Sequence, residues 1–373
     1  MGEKVRVGLV YGGRSGEHEV SLQTALAVMK AFDYDKYEIK PFYITKQGEW
    51  RAGAPLLAPP DEPELLRLAG GNAASGTDAL IPVFNSLDER NVPQNADGNT
   101  IDVVFPMLHG TFGEDGTIQG MLEMANIPYV GAGVLASAVG MDKIMMKKVF
   151  AQEGLPQCVY RHFNRTQWVK DPAFFIMEVE VALGYPCFIK PANLGSSVGI
   201  SKARSREELI AAVDYAFRYD RKVIVEEFVD AREIEVSVLG NDEPRASVPG
   251  EITSSNEFYD YKAKYIDGKS MMHIPANIPP DVAEAAREMA VRAFLAIDGS
   301  GLSRVDFFLR KADGKLLINE VNTMPGFTPY SMYPLMWKES GVSYRELLDT
   351  LIELAIARHT EKQRIDYGGG SPV

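Results

Sequence analysis

Near the C-terminal end, the runs Ser303 to Leu309 (Ser-Arg-Val-Asp-Phe-Phe-Leu) and Leu316 to Asn322 (Leu-Leu-Ile-Asn-Glu-Val-Asn) flank an Asp313-Gly314 pair. Alternating apolar residues on both sides of Asp-Gly predict a β-hairpin. Folding about that turn sets Asp306 opposite Glu320, and the period of two puts Arg304, Asp306, Glu320 and Asn322 on one face. Like charges directly across a ladder repel. Carboxylates with an amide oxygen are hard donors, suited to Mg²⁺ that keeps several waters and binds in company with substrate phosphates. Two readings stand at this point: a metal site, and a solvated hairpin face with an Arg–Asp pair.

Two lysines point to an anionic partner. Lys190 closes the buried run Phe-Ile-Lys-Pro191, where a charge is costly unless it meets an anion. Lys143, in Met-Asp-Lys-Ile, opens a helix, where the dipole disfavours a cation. Either alone could be a snorkelling surface lysine. Val223 to Val229 (Val-Ile-Val-Glu-Glu-Phe-Val), followed by Arg232-Glu-Ile-Glu, is a strand running into acids. Those acids could accept from an adenine amino group and ribose hydroxyls, or simply reach solvent. Glu17 is placed in a first helical turn, where the dipole alone favours a carboxylate. His109 to Gly116 (His-Gly-Thr-Phe-Gly-Glu-Asp-Gly) follows a buried parallel strand, the end at which open α/β sheets place ligands.

Two further matches are decoys. Gly195-Ser-Ser-Val-Gly199 fits the Gly-x-Ser-x-Gly signature of a serine hydrolase with Ser197 as nucleophile, but the elbow requires strand, sharp turn and helix. Here Val198 to Ala203 reads as strand, so a flap whose backbone N–H groups close on phosphate oxygens fits better. Gly131-Ala-Gly-Val-Leu-Ala136 resembles a dinucleotide fingerprint without the acid expected about 20 residues on. No Gly-x-x-x-x-Gly-Lys-Ser/Thr occurs, so any use of ATP proceeds without a P-loop.

The elements that must position these residues read as α/β. Val5 to Gly13 is a strand, Ser15 to Phe32 a turn and helix, Tyr37 to Ile44 and Ile101 to Met107 further strands, and Ile127 to Val130 a short one. Together they predict a parallel sheet with crossovers. Between them, about Arg51 to Thr100 reads as a surface insertion with a helix near Glu62 to Leu68. A helix from Leu135 to Glu153 leads to strands at Cys187 to Lys190, Val198 to Ser201 and Val223 to Phe228, with a capping box at Ser205-Arg-Glu-Glu. A third region runs from Ile234 through the hairpin to a helix at Tyr344 to Ala357. Residues 251 to 274, polar but carrying Phe258, Tyr259, Tyr261 and Tyr265, read as a lid.

Composition narrows the class. At 373 residues the chain suggests two or three domains, on a prior of roughly 100–200 residues each. Its hydrophobic fraction of 46% and charged fraction of 24% suit a globular enzyme. The net charge of −12, without runs of Lys or Arg, argues against nucleic acid as a partner. No stretch approaches the roughly 18 apolar residues that span a bilayer, and the first residues enter a strand pattern, so a cytoplasmic protein without membrane insertion is expected. Cys158 and Cys187 are expected to be buried thiols.

Taken in order and spacing, these motifs resemble those of the D-alanine–D-alanine ligases of the ATP-grasp superfamily. The resemblance rests on Gly12 to Leu22, His109 to Gly116, Met141 to Lys143, Lys190 to Gly199, Tyr259 to Tyr265, Ser303 to Asp306 and Asn319 to Gly326, and so covers nearly the whole chain. It implies a three-domain ATP-grasp fold: an N-terminal α/β domain (1–136) that binds the first D-alanine, a central subdomain (137–233), and a C-terminal subdomain (234–373) carrying the metal site and lid. It also implies a homodimer that joins two D-alanines at the expense of ATP, through an acyl phosphate, for peptidoglycan synthesis.

Residue by residue, the resemblance implies that Glu17 holds the ammonium of the first D-alanine with His109 nearby. Lys143, Lys190, Lys264 and Ser197 would bind phosphates, while Glu226, Glu227, Val229 and Glu233 would border adenine and ribose. Asp306, Glu320 and Asn322 would bind two Mg²⁺ ions, for which Mn²⁺ can substitute, with Glu320 bridging. Arg304 and the Gly326 N–H would stabilise the oxyanion, Ser196 and Tyr265 would link to Glu17 across the lid, and Ser331 with Met332 would receive the second carboxylate. Tyr265 points to an amine acceptor; D-lactate and D-serine stand as alternative acceptors. Glu227 departs from the pattern, since relatives often carry a lysine there, which puts that adenine contact in question.

Overall fold

The computed structural model describes residues 4–68, 101–195, 198–253 and 271–366. Strands β1 (Val5–Gly12), β2 (Tyr37–Ile44), β3 (Trp50–Ala52) and β4 (Val103–Met107) form one sheet in the order β3-β2-β1-β4. β1 runs parallel to β2 and β4, and β3 is an antiparallel edge. Helix α1 (His18–Ala31) buries Leu22, Ala25, Val28 and Met29, spacing that puts them on one face against this sheet. Two expected elements shrink. Ile127 to Val130 contributes a single bridge, Val104 to Tyr129, and the helix near residue 62 is one 3₁₀ turn, Pro63–Leu66.

After α2 (Thr117–Met124), the helix expected over 135–153 is two: α3 (Val134–Met141) and α4 (Lys143–Gln152). Asp142 breaks it. Its backbone is extended (φ −88°, ψ 98°) and its carboxylate accepts from the N–H groups of Ile144 and Met145. Short acids compete with helical backbone for these donors and so favour the cap. The same carboxylate pairs with Lys222.

A second sheet, wholly antiparallel, has the order β5-β8-β6-β7, from β5 (Tyr160–Asn164), β6 (Cys187–Pro191), β7 (Ser201–Ala203) and β8 (Lys222–Glu227). Helices α5 (Arg165–Lys170), α6 (Pro172–Ala182) and α7 (Arg206–Ala216) cover it, burying Trp168, Val179, Leu209 and Val213 against Phe163, Ile189 and Val225. β7 starts at Ser201, not Val198: residues 198 and 199 form a turn, with Gly199 in the left-handed region at φ +76°. No helix follows until Arg206, so the helix that a nucleophile elbow at Ser197 requires is missing. The capping box at Ser205 is half made. Ser205 accepts from the Glu208 N–H, but Glu208 takes the Arg204 N–H instead of returning to Ser205.

The third sheet runs β12-β11-β9-β13-β14, with β10 on β9. Its strands are β9 (Ala231–Gly240), β10 (Arg245–Ala246), β11 (Gly250–Thr253), β12 (Met271–His273), β13 (Gly301–Arg310) and β14 (Leu316–Asn322). Helix α8 (Pro280–Ala296) lays Ala286, Ala290, Ala293 and Phe294 over Val236, Val305 and Ile318, joined by Met146 and Phe150 of α4. Two last helices follow, α9 (Met332–Glu339) and α10 (Tyr344–Lys362). α10 returns to the first sheet: Leu347, Leu348, Leu351 and Ile352 share a core with Leu9, Tyr37 and Phe105, and Tyr37 Oη donates to Asp349 Oδ1 at 2.6 Å. Arg358 on α10 donates to the carbonyls of Gly131 and Tyr129 and lies over the Tyr129 ring. Among the described residues no helix is long and apolar enough to cross a membrane. Cys158 and Cys187 are free and buried.

Candidate active site

The hairpin is β13-β14, with Asp306 opposite Glu320 and Arg304 opposite Asn322. It forms one wall of a cavity of about 410 Å³. The opposite wall comes from the first sheet and its helix: Glu17 at the N-cap of α1, Thr24 within α1, and His109 and Glu114 after β4. Lys143 at the start of α4 and Leu194 and Gly195 after β6 close a third side, and Gly326, Ser331 and Met332 a fourth.

Glu17 is the N-cap residue of α1 instead of lying in its first turn, and its side chain makes no cap bond. Its carboxylate rests against two glycines. A methyl group on Gly110 would stand 2.7 Å from Glu17 Oε2, and one on Gly195 3.3 Å, so the absence of side chains there brings three distant segments together. His109 is buried, with Nδ1 3.2 Å from the Met324 carbonyl and Nε2 3.3 Å from Thr24 Oγ1. Burial pushes its pKa down, against the Glu17 charge and the Met324 contact.

Glu114 was not singled out by sequence, although it lies inside the His109 to Gly116 stretch. It is buried and accepts from the Gly110 N–H. Burial, then the charge of Glu17, lifts its carboxyl well above the usual range, with Glu320 adding and the Gly110 N–H and Arg304 opposing.

Lys143 donates to the Leu194 carbonyl at 2.9 Å, and its Nζ is 3.8 Å from Glu320 Oε2. Lys190 does not border the cavity. Its Nζ meets Glu226 Oε2 at 2.5 Å, while Glu226 Oε1 is 2.9 Å from the Nζ of Lys147, a residue sequence reasoning missed. Its signal was a lysine inside the apolar face of α4, four residues after Lys143. Burial would raise the Glu226 pKa, but Lys147 and Lys190 overcome it and hold the carboxylate well below its ordinary range. Burial likewise opposes the Lys190 charge, and Glu226 outweighs it. Glu227 accepts from the Val159 N–H at 2.8 Å, so its carboxylate is tied to the start of β5. Val229 follows β8, and Glu233 sits on β9 opposite Ile252 and Phe308.

On the hairpin, Arg304 Nε and Nη2 donate to the two oxygens of Asp306, both at 2.7 Å. Its Nε is also 3.1 Å from Glu235 Oε2 on the neighbouring strand. Burial disfavours the guanidinium charge, but Asp306 and Glu235 raise its pKa well above the ordinary value. Asn322 Oδ1 accepts from the Met324 N–H. Ser331 caps α9 without a side-chain cap bond; its Oγ accepts from the Thr328 N–H at 3.1 Å, and a methyl on Gly326 would stand 3.1 Å from that Oγ. Ser196, Ser197, Lys264 and Tyr265, with residues 254–270 of the expected lid, lie outside the described residues. The ends of that segment, β11 and β12, pair antiparallel, and Ile252 and Met272 reach the cavity.

Among the described residues no three His, Cys, Asp or Glu side chains are grouped as metal ligands. Of the expected donors, Glu320 and Asn322 line the cavity beside Lys143, while Asp306, opposite Glu320 on the hairpin, has both oxygens on Arg304. That set fits Mg²⁺, which takes one or two carboxylates and completes its shell with water and phosphate.

The geometry joins the two ends of the chain in one cavity, and family profiles match both. One described as D-ala D-ala ligase N-terminus matches residues 6–132, and one described as D-ala D-ala ligase C-terminus matches 149–353. The chain belongs to the D-alanine–D-alanine ligase family. A D-alanine–D-alanine ligase of Bacillus licheniformis is 57% identical over 364 residues, 98% of this chain and 99% of that protein. One of Bacillus cytotoxicus is 54% identical with the same coverage. Among solved structures, the D-alanine–D-alanine ligase from Coxiella burnetii superposes with a TM-score of 0.79 at 35% identity, covering 97% of each chain. The VanG D-Ala:D-Ser ligase from Enterococcus faecalis gives 0.77 at 37%, covering 95% of this chain and all of that one. The mixed α/β architecture is thus that of the ligase family's ATP-grasp fold.

Proposed function

We propose that this chain joins two D-alanine molecules to D-alanyl-D-alanine, converting ATP to ADP and phosphate, in the cytoplasm and for peptidoglycan synthesis, cell wall biogenesis and cell shape. Membership of the ligase family supports the reaction. The observation that carries it to these residues is the single cavity in which Glu17, His109, Lys143, Arg304 and Glu320 meet.

A carboxylate is a poor acyl donor, so the first D-alanine carboxylate attacks the γ-phosphate and becomes an acyl phosphate; the amine of the second then attacks that carbonyl and phosphate leaves. Glu17, uncommitted to helix capping, holds the first ammonium, with buried His109 beside it. Lys143 and Lys190 receive the phosphates, and Glu226, Glu227, Val229 and Glu233 border the nucleoside. Arg304 and the Gly326 N–H face the oxygen on which negative charge grows, the arrangement by which fixed donors stabilise such a centre. Ser331 and Met332, at the start of α9, receive the second carboxylate. Asp306, Glu320 and Asn322 would hold two Mg²⁺ ions, or Mn²⁺. When bound, the ions offset charge on the transferring phosphate. The roles of Ser196, Ser197, Lys264 and Tyr265 rest on the family resemblance alone.

The domain limits 1–136, 137–233 and 234–373, and a homodimer, belong to the same proposal. A coupled assay of ADP formation tests it: turnover requires D-alanine and Mg²⁺ together. Acceptor arms with D-serine and D-lactate decide the alternative raised by the likeness to a D-Ala:D-Ser ligase. Turnover with D-alanine absent in every arm refutes the reading.

A further inference from the structure

Behind the cavity, three ionised side chains are packed out of water. Side-chain exposure is 1% for Lys147, 4% for Glu226 and 13% for Lys190. Each Glu226 oxygen serves one lysine, Oε1 at 2.9 Å from Lys147 Nζ and Oε2 at 2.5 Å from Lys190 Nζ. The group therefore carries a net charge of one plus. Neutralising Glu226 needs only one of these lysines, and burying a second cation costs several kcal/mol unless an anion returns it. Lys190 senses that direction already, since the charge of Glu320 on the cavity wall acts on it. Among the described residues, Lys147 pairs with Glu226 and otherwise faces the Tyr160 ring, 5.8 Å to the centroid.

We propose that Lys147 is a positioning residue for nucleotide phosphate: it holds one oxygen of Glu226, so that Lys190 can engage a phosphate without leaving Glu226 an unpaired buried carboxylate. This rests on the reading of Lys190 as a phosphate ligand. Without Lys147, Glu226 and Lys190 form a closed neutral pair, and a phosphate must break it. With Lys147, Glu226 keeps a partner throughout, and the surplus charge attracts the anion.

The test is equilibrium binding of the non-hydrolysable triphosphate AMP-PNP with Mg²⁺, and of adenosine, to the full chain and to Lys147→Met, Lys147→Gln and Lys147→Arg. Met matches the volume; Gln keeps a donor toward Glu226 but no charge. Loss of the charge is expected to weaken AMP-PNP about tenfold, the order of one charge-assisted contact, in Met and Gln alike. Adenosine affinity and the KM for D-alanine stay unchanged, and Arg restores AMP-PNP binding. Equal losses for AMP-PNP and adenosine would reduce Lys147 to a structural role and overturn the inference. So would parental AMP-PNP affinity in the Gln variant, which also covers a Met variant that fails to fold. Absence of AMP-PNP binding by the unmodified chain would overturn the nucleotide reading, and this inference with it.

Discussion

Replacing Glu226 with Gln isolates the energetics of that buried group. The substitution keeps shape and a carbonyl acceptor but leaves Lys147 and Lys190 facing each other with no anion between them, both now within hydrogen-bond reach of a neutral amide. Removing one partner of a buried pair costs about 3–5 kcal/mol, mostly as the charge left behind. Lys190, the less buried cation, can turn toward the cavity and limit the loss, which places the expectation within that range. At about 2–4 °C per kcal/mol for a unit of 150–250 residues, the midpoint falls by about 6–20 °C.

The pH dependence supplies the control. Glu226 is ionised more readily in the fold than in the unfolded chain, because Lys147 and Lys190 outweigh its burial. Its contribution is therefore complete above the ordinary carboxylate value of about 4.3 and is lost as pH falls below that toward the depressed folded value. Urea unfolding of both proteins at pH 7.5 and at pH 3, followed by far-UV circular dichroism, should show a wide gap at the first that narrows at the second. Equal stability at pH 7.5, or a gap that does not change with pH, refutes the reasoning.

Glu320→Gln, which removes one carboxylate of the cross-strand pair, should lower kcat by about 10²–10³ while leaving circular dichroism and the unfolding midpoint near parental; near-normal kcat in the coupled assay would count against a metal role. Glu114→Gln should stabilise the fold. Burial and Glu17 raise the Glu114 pKa, so above about 4.3 the fold withholds an ionisation that the unfolded chain enjoys, a cost that grows with pH until the folded value is reached. Gln still accepts from the Gly110 N–H, so its midpoint by differential scanning fluorimetry should exceed the parent's at pH 7.5 and match it near pH 4.

The hairpin was legible because Asp313-Gly314 marks the turn and alternation shows which side chains share a face. The pairing of Asp306 with Glu320 also needs a bulge between Asp306 and Phe307: nearer the turn Phe307 faces Ile318 and Leu309 faces Leu316, a register that alone would set Asp306 against Asn319. The break at Asp142 was written as a short acid before Lys-Ile, but the apolar run on either side masked it. Helix α8 went unread, although Ala286, Ala290, Ala293 and Phe294 form its buried stripe. β11 and β12 are too short to show a period. Lys147 and Glu114 acquire meaning only through groups that lie 79 and 97 residues away in sequence, Glu226 and Glu17 among them, differences of 226 − 147 and 114 − 17. Pairings of that range are set by packing, which no local pattern encodes.

The return of α10 to the first sheet bears on the order of events during synthesis. Leu347, Leu348, Leu351 and Ile352 complete a core begun by Leu9 and Phe105, and Arg358 fastens the carbonyls of Tyr129 and Gly131. Chains emerge from the ribosome N-terminus first. The first sheet therefore waits with an uncovered apolar face until α10 is made, and a chain cut short before Tyr344 keeps that face open for good.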